Sequence, residues 1–330
     1  MRGFMPFSSE ILNGLALIYG AAVKTRNTLY DVGVLKAYRV PLLVVSVGNI
    51  EAGGTGKTPF TMALADELYH RGRKVAIVTR GYKGRLDGPI IVTPQHLNEE
   101  VGDEALLMAR LMKVPVIKSP DRIRGALFAY VHLDTEIIIL DDGFQHRRLH
   151  RDLDIVLVSR DFTRERLLPA GHLREPASCL SRANIIIALK GADHDGLKAE
   201  LKPSALVDAH GNTSDPSLLA GKRILAFCAI GRPDHFFTML EQLGAIVERL
   251  AYQDHHCYTI ADVKEIMDKA AGKDLILTTE KDLVKIDTAW FTTKLDKLYA
   301  VRVGIEMPGL AGITDEIERK ADNSRFPGQG

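Results

Sequence analysis

Cysteine is scarce in this chain: Cys179, Cys228 and Cys257 are odd in number, far apart and without a Cys-x-x-Cys pair. That excludes a disulfide framework and a zinc ribbon and suits a reducing compartment. Charge of one sign is also lacking. With 43 Lys and Arg against 42 Asp and Glu the formal net charge is +1, so the basic excess of a phosphate-backbone binder is missing and nucleic acid is not expected as a partner. No apolar run approaches the roughly 20 residues that cross a bilayer core. The first residues lack the basic segment, apolar run and small-residue cleavage site of a secretory leader. There is no internal repeat, no low-complexity tract and no feature that demands an obligate protein partner.

What is present is a chain of 330 residues, 46% hydrophobic and 26% charged, enough for two globular lobes. Short β-branched runs at 42–47, 75–79, 114–117, 137–140, 155–158 and 185–189 alternate with helical stretches such as 58–69 and 105–111. That alternation predicts an α/β fold, a parallel sheet covered by helices on both faces. Residues 190–219 turn polar and rich in turn formers, as a linker reads. A second, smaller α/β lobe is expected beyond it, with strands at 224–229, 246–250, 275–278 and 298–303 and helices at 234–243 and 260–271. The expected division is 1–40 as an N-terminal amphipathic segment, 41–218 as the main core, 219–322 as the smaller lobe and 323–330 as a frayed tail.

Near the N-terminus, Ile11, Leu15, Ile18 and Ala22, broadened by Leu12 and Tyr19, recur at helical spacing with Lys24 and Arg26 just beyond. Two readings fit this stripe: a helix lying in a membrane interface, and a helix packed on its own domain.

Gly53-Gly54-Thr55-Gly56-Lys57-Thr58 falls between a predicted strand and a predicted helix, where a phosphate-binding P-loop belongs. Small residues let the backbone N–H groups curl towards phosphates, and the helix N-terminus adds a favourable dipole. Lys57 would reach the β and γ phosphates of ATP, and the Thr58 hydroxyl would ligate Mg²⁺. The strict pattern G-x-x-x-x-G-K-[ST] has glycine where this chain has Glu51. Ile137 to Leu140 followed by Asp141-Asp142 supplies the apolar strand and carboxylates of a Walker B site, with either aspartate as the Mg²⁺ ligand. The fold expected is therefore of P-loop NTPase type.

A P-loop serves kinases, ATPases and switches alike. The partitioning ATPases with this glycine pattern carry a signature lysine five positions before the main one; here that position is Ala52. Thr279-Glu280-Lys281-Asp282 departs from the guanine-reading [NT]-Lys-x-Asp spacing, which disfavours a GTPase. Asp254-His255-His256-Cys257 does not make a zinc site, because adjacent residues seldom provide tetrahedral geometry.

Gly48-Asn49 ahead of Gly53 to Pro59, Asp141-Asp142-Gly143-Phe144-Gln145-His146, and Pro169-Ala170-Gly171 with Leu173-Arg174-Glu175-Pro176 resemble the tetraacyldisaccharide 4'-kinase (lipid A 4'-kinase) family. The likeness extends to Gly102-Asp103-Glu104, to 227–231 with Pro233, to Asp254-His255 and to 279–282, and so covers most of the chain. It implies Mg²⁺-dependent transfer of the γ-phosphate of ATP to the 4'-hydroxyl of a tetraacylated disaccharide 1-phosphate, giving lipid IVA, the lipid A disaccharide precursor being the partner bound. It also implies a peripheral enzyme at the cytoplasmic face of the inner membrane, and tips residues 11–23 towards membrane contact. The family's Asp–His pair falls on Asp103, as base for the acceptor hydroxyl, and His255, which orients it. Read without the family, Asp103 equally suits a helix N-cap. Arg174 would hold a phosphate and Glu175 would join the Mg²⁺ shell. The competing readings are a membrane-associated ATPase switch and a soluble kinase of a small metabolite.

Overall fold

The computed structural model describes residues 9–162, 165–291 and 294–324. In chain order, α1 (Ser9–Asp31), β1 (Leu43–Gly48), α2 (Lys57–His70), β2 (Val75–Thr79), β3 (Ile90–Val92), α3 (Asn98–Val101), α4 (Asp103–Leu111), β4 (Val116–Lys118), α5 (Arg122–His132), β5 (Ile137–Asp141), β6 (Leu153–Val158) and β7 (Ile185–Leu189) build the first lobe. Then follow β8 (Leu197–Asp208), β9 (Thr213–Ser214), β10 (Arg223–Cys228), α6 (Pro233–Gln242), β11 (Ile246–Ala251), α7 (Ile260–Lys269), β12 (Leu275–Thr279), α8 (Glu280–Leu283), β13 (Leu298–Glu306) and α9 (Leu310–Ser324).

Every residue of β1, β2, β5 and β6 is buried, which is why these strands read as largely apolar runs rather than alternating ones. They sit in a mostly parallel sheet of order β11-β10-β12-β13-β8-β7-β6-β1-β5-β2-β4-β3. The mixed α/β class expected from the sequence is the one observed. Because β1 lies between β5 and β6, the loop leaving β1 and the carboxylates ending β5 emerge side by side at the carboxyl edge, where ligands bind in such sheets.

The expected linker is instead a strand. β8 pairs in parallel with β7 through Leu197 to Ala199, then antiparallel with β13 from Glu200 to Asp208, with a register irregularity opposite Pro203. One strand thus belongs to both lobes. Its exposure alternates and it carries Lys, Glu and Pro, so it never forms the apolar run that flags a buried parallel strand.

At the far end of the chain, α9 returns to the first lobe. Ile313, Ile317 and Ala321 join one core cluster with Val45, Leu64 and Leu68, while Arg71 and Arg73 bind Asp315, Glu318 and Asp322 on the same helix. We therefore propose a division in which the smaller lobe closes with β13 and α9 is counted with the first. Of the tail expected at 323–330, Asn323 and Ser324 complete α9 and the remainder lies outside the described residues.

α1 is longer than expected and packs through Ala16, Val23 and Asn27. A Cβ at Gly20 would stand 2.7 Å from Leu167 Cδ1, so the helix lies close on the segment that leads to Arg174. Ile11, Leu15, Leu17 and Ile18 are 49%, 44%, 77% and 68% exposed. The apolar stripe seen in the sequence faces outward, so self-packing does not account for it. No helix among the described residues is long and apolar enough to cross a membrane.

Truncating Ile317 tests the return of α9. Ile317→Ala removes a fully buried side chain from the shared cluster and is expected to cost about 2–5 kcal/mol, read as a lower guanidinium chloride midpoint; a loss under ~1 kcal/mol would mean that α9 does not close this core.

Candidate active site

The loop after β1 is held open by its glycines and braced from behind. Gly53 and Gly56 have φ of +100° and +73°, a region that suits glycine, and a Cβ at Gly56 would meet Leu201 Cδ1 of β8 at 2.9 Å. Asn49 Nδ2 donates to Thr55 Oγ1 at 2.7 Å, and Gln145 Nε2 donates to the Asn49 carbonyl at 2.7 Å. The Gln145 contact gives that residue a bracing role which the sequence left open. Lys57 opens α2 directly after Gly56, so the free N–H groups of the helix and the lysine share one face of the cavity.

Asp141 and Asp142 face this loop but in unlike surroundings. Asp141 is 2% exposed and accepts from Thr61 Oγ1 at 3.2 Å and Thr79 Oγ1 at 3.4 Å. Burial, with Glu104 and Asp142 close by, pushes its carboxyl up to about 7. Asp142 lies 3.5 Å from Lys57 Nζ and receives Arg174 Nη1 on both oxygens at 3.0 and 2.8 Å. Burial alone would raise Asp142, but Lys57 and Arg174 outweigh it and hold the group at about 2.

Two residues that the sequence did not assign complete this side. Arg122, at the start of α5, is 4% exposed and lines the cavity; burial lowers it to about 10 although Asp141 and Asp142 oppose the shift. Its only sequence signal is a place after a Ser-Pro-Asp turn, which is too common to use. Burial beside Arg122 lowers His146 to about 4, so His146 is neutral at physiological pH.

Across the cleft, Asp103 Oδ2 lies 3.0 Å from His255 Nδ1, although 152 residues separate them. The N-cap of α4 is Gly102, and Asp103 is its first helical residue, so the cap reading of Asp103 gives way. Burial would raise Asp103, but the hydrogen bond from His255 and the charges of Lys285 and Lys281 prevail and lower it, leaving a carboxylate at neutral pH. Tyr82 lies against the His255 ring with centroids 5.1 Å apart. Lys281 Nζ reaches Glu104 Oε1 at 3.1 Å and His255 Nε2 at 3.5 Å, so Lys281 stands with the Asp103–His255 pair.

Glu175 is the exception. It is fully buried and bonded to Arg26 at 2.5 Å and to Arg182, and it does not line the cavity that holds the other groups. The metal role expected of it is corrected to a structural one, because both oxygens are already taken by guanidinium groups. Gly53 to Thr58, Asp141, Asp142, Arg174 and His255 all line one cavity of about 1640 Å³ between the lobes. Asp103, largely buried, is bonded to His255. Such a cavity suits a triphosphate on one wall and a hydroxyl-bearing acceptor on the other.

The chain is similar to known proteins over most of its length. A family profile described as tetraacyldisaccharide-1-P 4'-kinase matches residues 8–321. The tetraacyldisaccharide 4'-kinase of Koribacter versatilis is 39% identical over 321 residues, covering 93% of this chain and 97% of that protein. Its Aquifex aeolicus counterpart is 38% identical, covering 82% and 87%. A crystal structure of the Aquifex aeolicus protein described as in complex with ATP superposes with a TM-score of 0.77 at 33% identity, covering 94% of this chain and 98% of that one.

Lys57→Ala removes the one lysine that reaches Asp142 from the loop. Calorimetric affinity for ATP with Mg²⁺ is expected to fall about tenfold to a hundredfold; unchanged affinity would take Lys57 out of the phosphate site.

Proposed function

This chain belongs to the tetraacyldisaccharide-1-P 4'-kinase family, and on that footing we propose that it transfers the γ-phosphate of ATP to the 4'-hydroxyl of a tetraacyldisaccharide 1-phosphate, giving lipid IVA. The observation that carries this reading is the Asp103–His255 contact opposite the P-loop. An ATP switch needs to position only water and has no use for a buried carboxylate–imidazole pair formed between the two lobes.

In this scheme the loop amides from Gly53 to Gly56, with Lys57, hold the β and γ phosphates. Arg174 bears on the phosphate being transferred, since its guanidinium already sits at Asp142 beside Lys57. Asp103 accepts the proton of the sugar hydroxyl as its oxygen closes on phosphorus, and His255 fixes the carboxylate's direction. The depressed proton affinity of Asp103 keeps it in the basic form at neutral pH.

Mg²⁺ fits the donor set. The Thr58 hydroxyl, Asp141 and Asp142 would hold it, the protein giving few ligands and the phosphates and water the rest, as is usual for this ion. Asp141 is the better direct ligand, because Asp142 already has two cationic partners while Asp141 is buried among like charges. Bound there, Mg²⁺ neutralises phosphate charge and aligns the group to be transferred.

We also read α1 as a contact with the cytoplasmic face of the inner membrane. Its outward apolar stripe, with Lys24 close behind, is what an interfacial helix presents. That orientation speaks for a lipid acceptor over a soluble metabolite.

Radiolabelled ATP incubated with detergent-dispersed disaccharide lipid, or with water alone, separates the readings. Label in the lipid is expected; label released only as free phosphate would favour the switch. Asp103→Ala should lower kcat by roughly 10²- to 10⁴-fold with ATP affinity retained, and an unchanged kcat would remove Asp103 as the base. Leu17→Glu with Ile18→Glu should release the protein from vesicles and raise KM for lipid without changing ATP affinity; retention on vesicles would refute the α1 assignment.

A further inference from the structure

Glu51 occupies the position at which a strict P-loop has glycine, and its surroundings give that departure a purpose. The carboxylate is completely buried. It accepts from Ser159 N at 2.8 Å, Ser159 Oγ at 2.8 Å, Arg160 Nε at 2.9 Å and Arg232 Nη2 at 2.6 Å. The first three donors follow β6 in the first lobe, whereas Arg232 precedes α6 in the second. Arg232 also donates through Nη1 to Ser159 Oγ at 2.7 Å, so its guanidinium is forked across the boundary in the manner that favours arginine.

The loop that carries Arg232 is pressed between the two catalytic walls. A Cβ on Gly231 would come within 3.3 Å of Gly53 Cα, of Gly54 N and of Asp254 Oδ2. Two residues earlier, the Ala229 carbonyl accepts from His255 N at 3.2 Å, and Ala229 N donates to Asp282 Oδ2 at 3.1 Å. Residues 229–232 therefore touch the phosphate loop on one side and support His255 on the other. His255 itself has a φ of +60°, a backbone state that non-glycine residues keep only where their surroundings hold them.

We infer that Glu51 and Arg232 form a latch that sets the spacing between the phosphate loop and the Asp103–His255 pair, with Arg232 acting as a positioning residue. When the latch is shut, the segment that bears Arg232 also seats His255 opposite Asp103. Opening it frees the second lobe at a place where a guanidinium crosses to the base of the P-loop. Loss of Arg232 leaves Glu51 with Arg160 and Ser159, so the first lobe keeps its own contacts.

Interlobe distance and turnover together test this. Spin labels at Leu127→Cys in α5 and Ile246→Cys in β11, both exposed positions, would be read in a Cys179→Ser and Cys257→Ser background. The parent should give one narrow distance population, and Arg232→Met or Glu51→Gln should broaden it towards longer distances. Each variant should also lower the single-turnover rate by about tenfold or more, with a smaller effect on ATP affinity, and the double variant should lose no more than about twofold beyond the worse single one. Arg232→Lys, which keeps the charge and loses the fork, should fall between and serves if Arg232→Met does not fold. Unchanged distances, or rate losses that multiply in the double variant, would overturn the latch. The distance readout needs no acceptor: failure to phosphorylate the disaccharide would refute the kinase reading on which the rate test rests, and leave the latch to be judged by distance.

Discussion

Two carboxylates at the end of one strand set the terms for the rest of the site. Asp141 and Asp142 are adjacent, the first buried and the second 35% exposed on the cavity wall, and two such groups resist ionising together unless cations stand close. The fold brings those cations from three directions: Lys57 from the head of α2, Arg174 from the loop after β6, and Arg122 from the head of α5. Lys57 and Arg174 neutralise Asp142, and Asp141 keeps an unmet demand for positive charge. Under the proposed kinase reading, a metal with its phosphates would meet that demand.

The second lobe matters because it supplies what a phosphate site alone lacks. β8 makes the two sheets continuous, with its first residues on β7 and the rest on β13. A loop joint would leave the lobes free to wander. A shared strand instead limits their relative motion to twisting and flexing about the sheet, so a contact as short as His255 to Asp103 can be kept by few interactions at the other rim of the cleft.

Much of this was legible in the sequence where burial is extreme. β1, β2, β5 and β6 announce themselves because nearly every position is apolar, and the P-loop because its glycines and Lys57-Thr58 stand between a strand and a helix. β8 and α9 were illegible for the opposite reason. β8 is half exposed and mixed in composition, and α9 buries only a narrow row, chiefly Ile313, Ile317 and Ala321, along an otherwise charged helix. The pairing of Asp103 with His255 could not be derived from spacing, since it depends on how two lobes close; a family resemblance carried it. Glu175 misled because a carboxylate beside Arg174 looks like a metal ligand until Arg26 and Arg182 are seen to enclose it.

That enclosure ties α1, the helix we propose to lie on the membrane, to the chemistry. Arg26 of α1 is paired with Glu175, and Tyr19 of α1 donates through its hydroxyl to the carbonyl of Arg174 at 2.9 Å. Both Tyr19 and Arg26 line the same cavity as the phosphate loop. On that proposal the helix would be more than a tether. Its outer face is apolar while its inner face fixes the backbone from which Arg174 reaches Asp142. A lipid held with its acyl chains along the outer stripe would have its sugar headgroup at the mouth of the cavity, because one helix borders both environments. Position on the membrane and position of the transferring phosphate are then set by the same element, which reduces the freedom that must be lost before reaction.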